Sequence, residues 1–322
     1  MSSKASIYLG SYLAPLASFL TSEDITDIYI NGPGEVVTET LRGTIAHHNV
    51  PELSASTLER LARQVAALNA QGISRRHPLL AGVLPDGSRI QIVLPPATRG
   101  NIAIAIRRHL TTSMRLDDYK EAVSPAAEGL AGSKDSEDRS ASSSVSVLER
   151  LRAAVHARKT ILISGGTSSG KTTFLNALLR EIPGTERLIL IEDTPELQLT
   201  HRNAVGLLAV RGAQGEADVT AEDLLIASLR MRPDRIILGE LRGKEALTFL
   251  RAVNTGHPGS LTTVHADSPE RAIDQLALLL VQGGANVALD AIIRQVRDAI
   301  DIIVQLERRQ GRRTISQVLH LR

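Results

Sequence analysis

Along the first third of the chain, apolar and polar positions alternate in short runs. Ile25 to Ile30 is a β-type run ending in the turn cluster Asn31-Gly32-Pro33-Gly34, and Val36 to Thr40 resumes it up to Arg42-Gly43, the pattern of a hairpin. Ser54 or Ser56 can cap a helix in which Leu58, Leu61, Val65 and Leu68 recur at helical spacing. Gly82 to Leu84, Arg89 to Leu94 and Asn101 to Arg107 then read as two or three strands, joined by the tight turn Pro85-Asp86-Gly87 and broken at Pro95-Pro96. Residues 1–110 are therefore expected to form an α+β domain.

From Thr111 the periodicity dissolves. Between Ser124 and Ser146 the chain is mostly Ser, Ala, Gly and charged residues with almost no large apolar side chain, so 111–146 is expected to be a flexible Ser-rich linker. Helical periodicity returns at Val147 to Val155. From there apolar strands alternate with helices in the manner of a parallel sheet covered on both faces, which makes 147–322 an α/β domain.

Composition narrows the function classes. A length of 322 residues suits about two domains, and 43% hydrophobic residues excludes disorder as the global state. Aromatic residues make up only 2%, which argues against a base-stacking surface of the kind single-strand binders use. The net charge of +2 is not gathered into a long basic run, so charge names no partner. Cys is absent, which removes disulfides, thiolate catalysis and Cys-ligated zinc and fits a reducing compartment. Lys4 followed by Ile7 to Leu20 has the look of a secretory signal, but Gly10, Ser11, Pro15 and Ser18 interrupt it, so an amphipathic segment is expected there. No apolar run reaches the roughly 18 residues of a membrane span. The expectation is a soluble chain whose membrane association is peripheral.

The chemistry is concentrated after Thr160. Thr160 to Ser164 is a short apolar strand, followed at once by Gly165, Gly166, Thr167, Ser168, Ser169, Gly170, Lys171 and Thr172, then by the helical run Thr173 to Leu179. This is the full Walker A spacing in its required context of strand, glycine-rich loop and helix start. Glycines let backbone N–H groups turn inward around phosphate oxygens, and the helix N-terminus adds partial positive charge. Lys171 is expected to reach the β- and γ-phosphates of ATP, and Thr172 to offer its hydroxyl to Mg²⁺. Arg235 to Leu238 is an apolar strand that delivers Glu240, the expected general base for the attacking water and a second contact to the Mg²⁺ hydration shell. A further acid-tipped strand, Leu188 to Ile191, delivers Glu192 and Asp193, with Glu196 beyond.

Three runs carry a resemblance: Arg232 to Gly243, Ile191 to Glu196 before it and Thr255 to His265 after it. They are similar to the Walker B, Asp and His boxes of the secretion ATPase superfamily, which includes type IV secretion and conjugation motors, type II secretion ATPases and type IV pilus motors. Asp27 to Gly34 and Asp86 to Arg108 resemble the N-terminal domain of the conjugation branch, so the likeness covers nearly the whole chain. Without Cys there is no tetracysteine zinc module of the type II and pilus-extension enzymes, and the type IV secretion and conjugative-transfer branch fits best. The long Ser-rich linker is a departure from many relatives.

The resemblance implies a RecA-like ATPase domain behind an α+β domain, assembled as a homohexameric ring with ATP between the two domains. It implies that Glu192 fills the acidic Asp-box position, Glu240 the catalytic Walker B position, and His257 and His265 the two ends of the His box, with His265 sensing the γ-phosphate. Read from residue type alone, a His pair about eight residues apart is a metal pair or merely polar core, and with no third ligand nearby metal binding is not expected. Arg89, Arg107 and Arg108 are the candidate arginine fingers, and Arg242 a phosphate-state sensor. The implied task is ATP hydrolysis that powers assembly of, or transfer through, a type IV secretion system at the cytoplasmic face of the bacterial inner membrane. Its implied partners are inner-membrane components, with no sequence-specific nucleic-acid binding. The alternative is a nucleic-acid translocase of the RecA-like class.

Overall fold

A computed structural model of the chain describes residues 3–108, 114–124, 127, 144–210, 218–285, 287–309 and 312–322. It divides into two compact units, one centred on the residues before Thr111, the other on Thr112–Ala209 and Val219–Arg322. Among the described residues no helix is long and apolar enough to cross a membrane.

The first unit opens with α1 (Ser3–Leu13) and α2 (Ala17–Thr21), then β1 (Ile25–Ile30), β2 (Glu35–Thr40), β3 (Ile45–Asn49), α3 (Ala55–Leu68), β4 (Leu79–Val83), β5 (Arg89–Val93) and β6 (Ala103–Arg107). Ser54 caps α3, its side chain accepting from the Thr57 amide. The strands form one six-stranded sheet in the order β3-β2-β1-β6-β5-β4. Its alternation is one-sided. Ile28, Ile30, Ile90, Ile92, Ile104 and Ile106 turn to a core shared with Leu58, Leu61 and Val65 of α3, which leaves the intervening positions on the opposite face. Arg89 and Arg107 are direct cross-strand neighbours on that other face, and Arg107 in turn faces Asp27 of β1.

Of the span expected to be a linker, residues 111–113, 125–126 and 128–143 lie outside the described residues. Leu116–Ala122 forms a 3₁₀ turn whose Leu116 and Tyr119 are buried in the second unit. Two apolar residues three apart match the period of such a turn and give it one face to bury. Amid polar neighbours, that pair is too short a signal to read in the sequence.

The second unit comprises α4 (Ser144–His156), β7 (Ile161–Gly165), α5 (Lys171–Leu179), β8 (Leu188–Glu192), β9 (Ala204–Leu208), α6 (Ala221–Ser228), β10 (Arg235–Leu238), α7 (Glu245–Thr255), β11 (Leu261–Val264), α8 (Pro269–Gln282), α9 (Leu289–Ala299), β12 (Ile302–Arg309) and β13 (Arg312–His320). This is the expected α/β class. The sheet order is β13-β12-β7-β11-β10-β8-β9, parallel except for the antiparallel β13. Strand residues alternate between two apolar layers: Ile161, Ile163, Leu188, Leu190 and Ile237 pack with α4 and α5, while Leu162, Ile189, Ile191, Ile236 and Leu238 pack with α6 to α9. Burial on both faces is why these strands read as continuous apolar runs. The antiparallel hairpin β12–β13 was not singled out in the sequence.

A fully buried guanidinium lies inside this fold. Arg235, fully buried at the start of β10, makes a two-pronged ion pair with Glu186, at 2.7 Å from Nε and 2.9 Å from Nη2, and donates to the Val155 carbonyl at 2.8 Å. Hydrogen bonding from Arg235 holds the Glu186 carboxyl below its ordinary range.

Candidate nucleotide-binding site

The loop 165–170 joins the end of β7 to the start of α5, and its backbone needs its glycines. A Cβ on Gly165 would come within 2.5 Å of Ser169 Oγ and 2.7 Å of the Leu306 carbonyl oxygen. Gly170 sits at φ +92°, the left-handed region that favours glycine. The result is a tight turn that leads into the N-terminus of α5, where the helix dipole favours an anion. Gly166, Thr167 and Ser168 lie at the surface of this turn, and Thr172 and Thr173 are half-buried on the first turn of α5. Ser169 Oγ is buried with no hydrogen-bond partner among the described residues, a hydroxyl left for a ligand.

Lys171 is buried, and its Nζ donates to the carbonyls of Gly165 at 2.9 Å and Gly166 at 3.2 Å. It also stands 3.3 Å from both ring nitrogens of His265, so it does not lie along a single lone pair. Burial pulls the ammonium down to about 8, against the opposing pull of Glu240. His265 Nε2 lies 2.9 Å from Glu240 Oε1, close enough for an ion pair when the ring is protonated, though without hydrogen-bond geometry. Burial lowers the His265 imidazole as well, and Glu240 only partly offsets this. Arg242 Nη2 pairs with the other Glu240 oxygen, and its Nη1 is 3.6 Å from Asp193. Lys171, His265, Glu240 and Arg242 therefore form one chain of charged and polar groups. They reach it from α5 and from the ends of the parallel strands β10 and β11, the edge where ligands of such sheets bind.

Other expected site residues fall elsewhere. Glu192 turns its carboxylate into its own loop, where Oε2 accepts from the Glu196 and Leu197 amides at 2.9 Å each. His257 is not brought to the cluster. It precedes β11 while His265 follows it, and the strand alone separates its ends by about 10 Å, too far for the two histidines to share an ion. His257 Nδ1 is 3.2 Å from the Pro233 carbonyl, in a depression of about 670 Å³ that Arg187, Arg230 and Arg232 also line. In the first unit, Arg107 Nε donates to Asp27 Oδ1 at 2.9 Å, and Arg108 donates to the carbonyls of Ser22 and Ile25, which makes it a backbone brace. Among the described residues no three of His, Cys, Asp and Glu group as a metal centre.

Two residues that sequence reading missed flank the loop. Gln305 of β12 accepts from the Ser164 hydroxyl and donates to the Ala266 carbonyl at 3.2 Å, tying the strand residue before the loop and the residue after His265 to one amide. Its signal is there in retrospect, as a lone polar residue inside the apolar run Ile302 to Leu306. Arg313 of β13 donates from Nη1 to Thr173 Oγ1 at 3.1 Å. Nothing local marks it among its neighbouring arginines.

Comparison with known proteins bears out the resemblance. Residues 12–318 match the family described as Type II/IV secretion system protein. The chain is 38% identical to the type IV secretion system protein VirB11 of Bartonella henselae, over 96% of this chain and 91% of that protein. It is 37% identical to protein VirB11 of Agrobacterium fabrum, over 91% and 87%. Among solved structures it is similar to the VirB11 ATPase from the Brucella suis type IV secretion system in complex with sulphate, at 35% identity and TM-score 0.50, covering 98% of this chain and 95% of that one. The pilus retraction motor PilT with bound ADP, at 20% identity and TM-score 0.62 over 97% and 82%, shares the fold. With that match over nearly its whole length and a phosphate-binding loop facing a strand-end acid, the chain is an ATPase belonging to the Type II/IV secretion system protein family.

Proposed function

We propose that this ATPase uses ATP hydrolysis to drive assembly of, or transfer through, a type IV secretion system, as a homohexamer at the cytoplasmic face of the bacterial inner membrane. The observation that carries the reading is the Lys171–His265–Glu240–Arg242 chain beside the glycine-rich loop. ATP is held by the loop amides, with Lys171 moving from the Gly165 and Gly166 carbonyls to the β- and γ-phosphates. Mg²⁺ suits this donor set. A hard cation that keeps several waters needs one hydroxyl and the substrate phosphates, with Thr172 supplying the hydroxyl and Glu240 reaching the hydration shell. Held there, the ion would offset the negative charge that develops on the phosphates.

Glu240 orients and deprotonates the attacking water once Arg242 turns from it toward the γ-phosphate. His265, neutral at physiological pH and within reach of both Lys171 and Glu240, couples the phosphate to β11. Arg89 and Arg107 of the first unit are the guanidiniums assigned to the transition state, from the same or a neighbouring copy. Glu192 shapes the loop after β8. Self-assembly is supported by Leu278 and Val281, one turn apart and exposed on α8, and by the exposed Leu289 at the start of α9. Inner-membrane secretion components are the partners expected from the relatives' names, and association with the membrane is peripheral.

The deciding variant is Glu240→Gln, which keeps size and removes the base. Turnover should fall by about 10²-fold or more, within the range of general base removal, with ATP affinity kept within a few-fold. Retained turnover takes Glu240 out of the mechanism.

A further inference from the structure

The strand order fixes a direction across the loop. β7, which feeds the loop, lies between β11 and β12. Glu240 and His265 stand on the β11–β10 side, so the end of the nucleotide that reacts must face that way. The other flank belongs to the β12–β13 hairpin. Leu306 of β12 pairs with Gly165, and the hairpin continues past it to Arg309 and Arg312, beyond the end of β7.

Arg313 sits on this second flank. Its stem lies so close to the loop that a Cβ on Gly170 would fall 2.5 Å from Arg313 Cδ and 3.0 Å from Nε. Its one hydrogen bond among the described residues goes to Thr173 Oγ1, and no carboxylate there pairs with it. A half-buried guanidinium with most of its five donors unspent, beside a helix N-terminus, is an anion ligand in waiting. Thr173 extends the site. Because its oxygen accepts from Arg313, its own hydroxyl hydrogen is left to donate to a second acceptor.

We infer that Arg313 and Thr173 together grip the phosphate nearest the nucleoside, so that the nucleotide lies across the end of β7 with its γ-phosphate toward Glu240 and its nucleoside toward the C-terminal hairpin. This rests on the loop being the ATP site. Arg313 is a binding residue distant from the bond that breaks, and it contributes equally before and during hydrolysis. Interactions of that kind change KM and product affinity without lowering kcat.

The test compares Arg313→Met, which keeps the stem over Gly170 and removes the donors, with Arg313→Lys, which keeps the charge, using Lys171→Ala as control. Full-length protein is titrated with ADP and with inorganic phosphate, a single phosphate that cannot fill the loop centre and the nucleoside-side position at once, and KM and kcat are measured for ATP. For R313M the expected result is about tenfold weaker ADP binding and a matching rise in KM, the scale of one charge-assisted hydrogen bond. The kcat should not fall, inorganic phosphate should be held as by the wild type, and R313K should be intermediate. An equal loss for ADP and inorganic phosphate, or a fall in kcat at unchanged KM, overturns the assignment and makes Arg313 a brace of the loop. Should R313M fail to fold, R313K decides: weaker ADP with unchanged inorganic phosphate supports the grip, and wild-type ADP affinity overturns it. If K171A binds ADP as well as the wild type, it is the ATP site itself that is misplaced.

Discussion

Lys171 satisfies its ammonium with the carbonyls of its own loop, a poor substitute for phosphate. That is why burial can draw its titration down to about 8. Bound phosphates would hold it charged to higher pH. Below about 8 the lysine is protonated both free and bound, so binding exchanges no proton and affinity is flat. Above it the free protein has lost the proton and must take one up, so ATP and ADP affinity should fall by up to tenfold per pH unit. Calorimetry of ADP binding in two buffers of different ionisation enthalpy should give near-zero proton uptake at pH 7 and about one proton at pH 9, and none at pH 9 would refute the assignment. The loop and Glu240 were legible because the chemistry of each is set by spacing within a dozen residues. Arg313 and Gln305 were not, since their partners Thr173 and Ser164 lie 140 and 141 positions away. The inward turn of Glu192 depends on the path of the loop after β8, which composition does not encode.

At the scale of elements, the start of β10 depends on an ion pair largely shut off from water. Arg235 looks in the sequence like one more arginine before a strand, and only its fully buried position, with Glu186 49 residues earlier, gives it a role. Glu186→Ala would strand a buried guanidinium and should lower unfolding free energy by about 3–5 kcal/mol, read as a lower urea midpoint at unchanged slope. A loss below 1 kcal/mol would mean water reaches the site on truncation. The pair also predicts an acid limit. The folded carboxyl titrates below its unfolded value of about 4.3, so its contribution is complete above that pH and lost as pH falls through the lower folded value. The parallel strands themselves were readable from their unbroken apolar runs. The hairpin β12–β13 was not, because its alternation is interrupted by the Gln305 that serves the loop.

For the whole molecule, the two-unit division follows where apolar periodicity changes from one-sided alternation to runs buried on both faces. Within 111–146, the span expected to be a linker, the turn Leu116–Ala122 packs in the second unit. Assembly is a separate matter, argued from exposed Leu278, Val281 and Leu289 and from the family. If the hexamer is the working form, ATPase rate per chain should rise with protein concentration in step with a hexameric species seen by light scattering, and be indifferent to DNA. Full activity in a monomer, or strong DNA stimulation, would overturn it. The placing of β7 between β11 and β12 also bears on how the protein is made. The strand that feeds the loop is synthesised 141 positions before Gln305, the residue that ties it on its far side. At ~5–20 residues per second on the ribosome, both edges of β7 stay open for roughly 5–20 s until β11 is made, and the second for roughly 7–30 s until β12 is. During that interval ATP has no finished site to bind, so the nucleotide cannot guide early folding, and a growing chain of this protein depends on other means to keep that apolar edge from foreign strands.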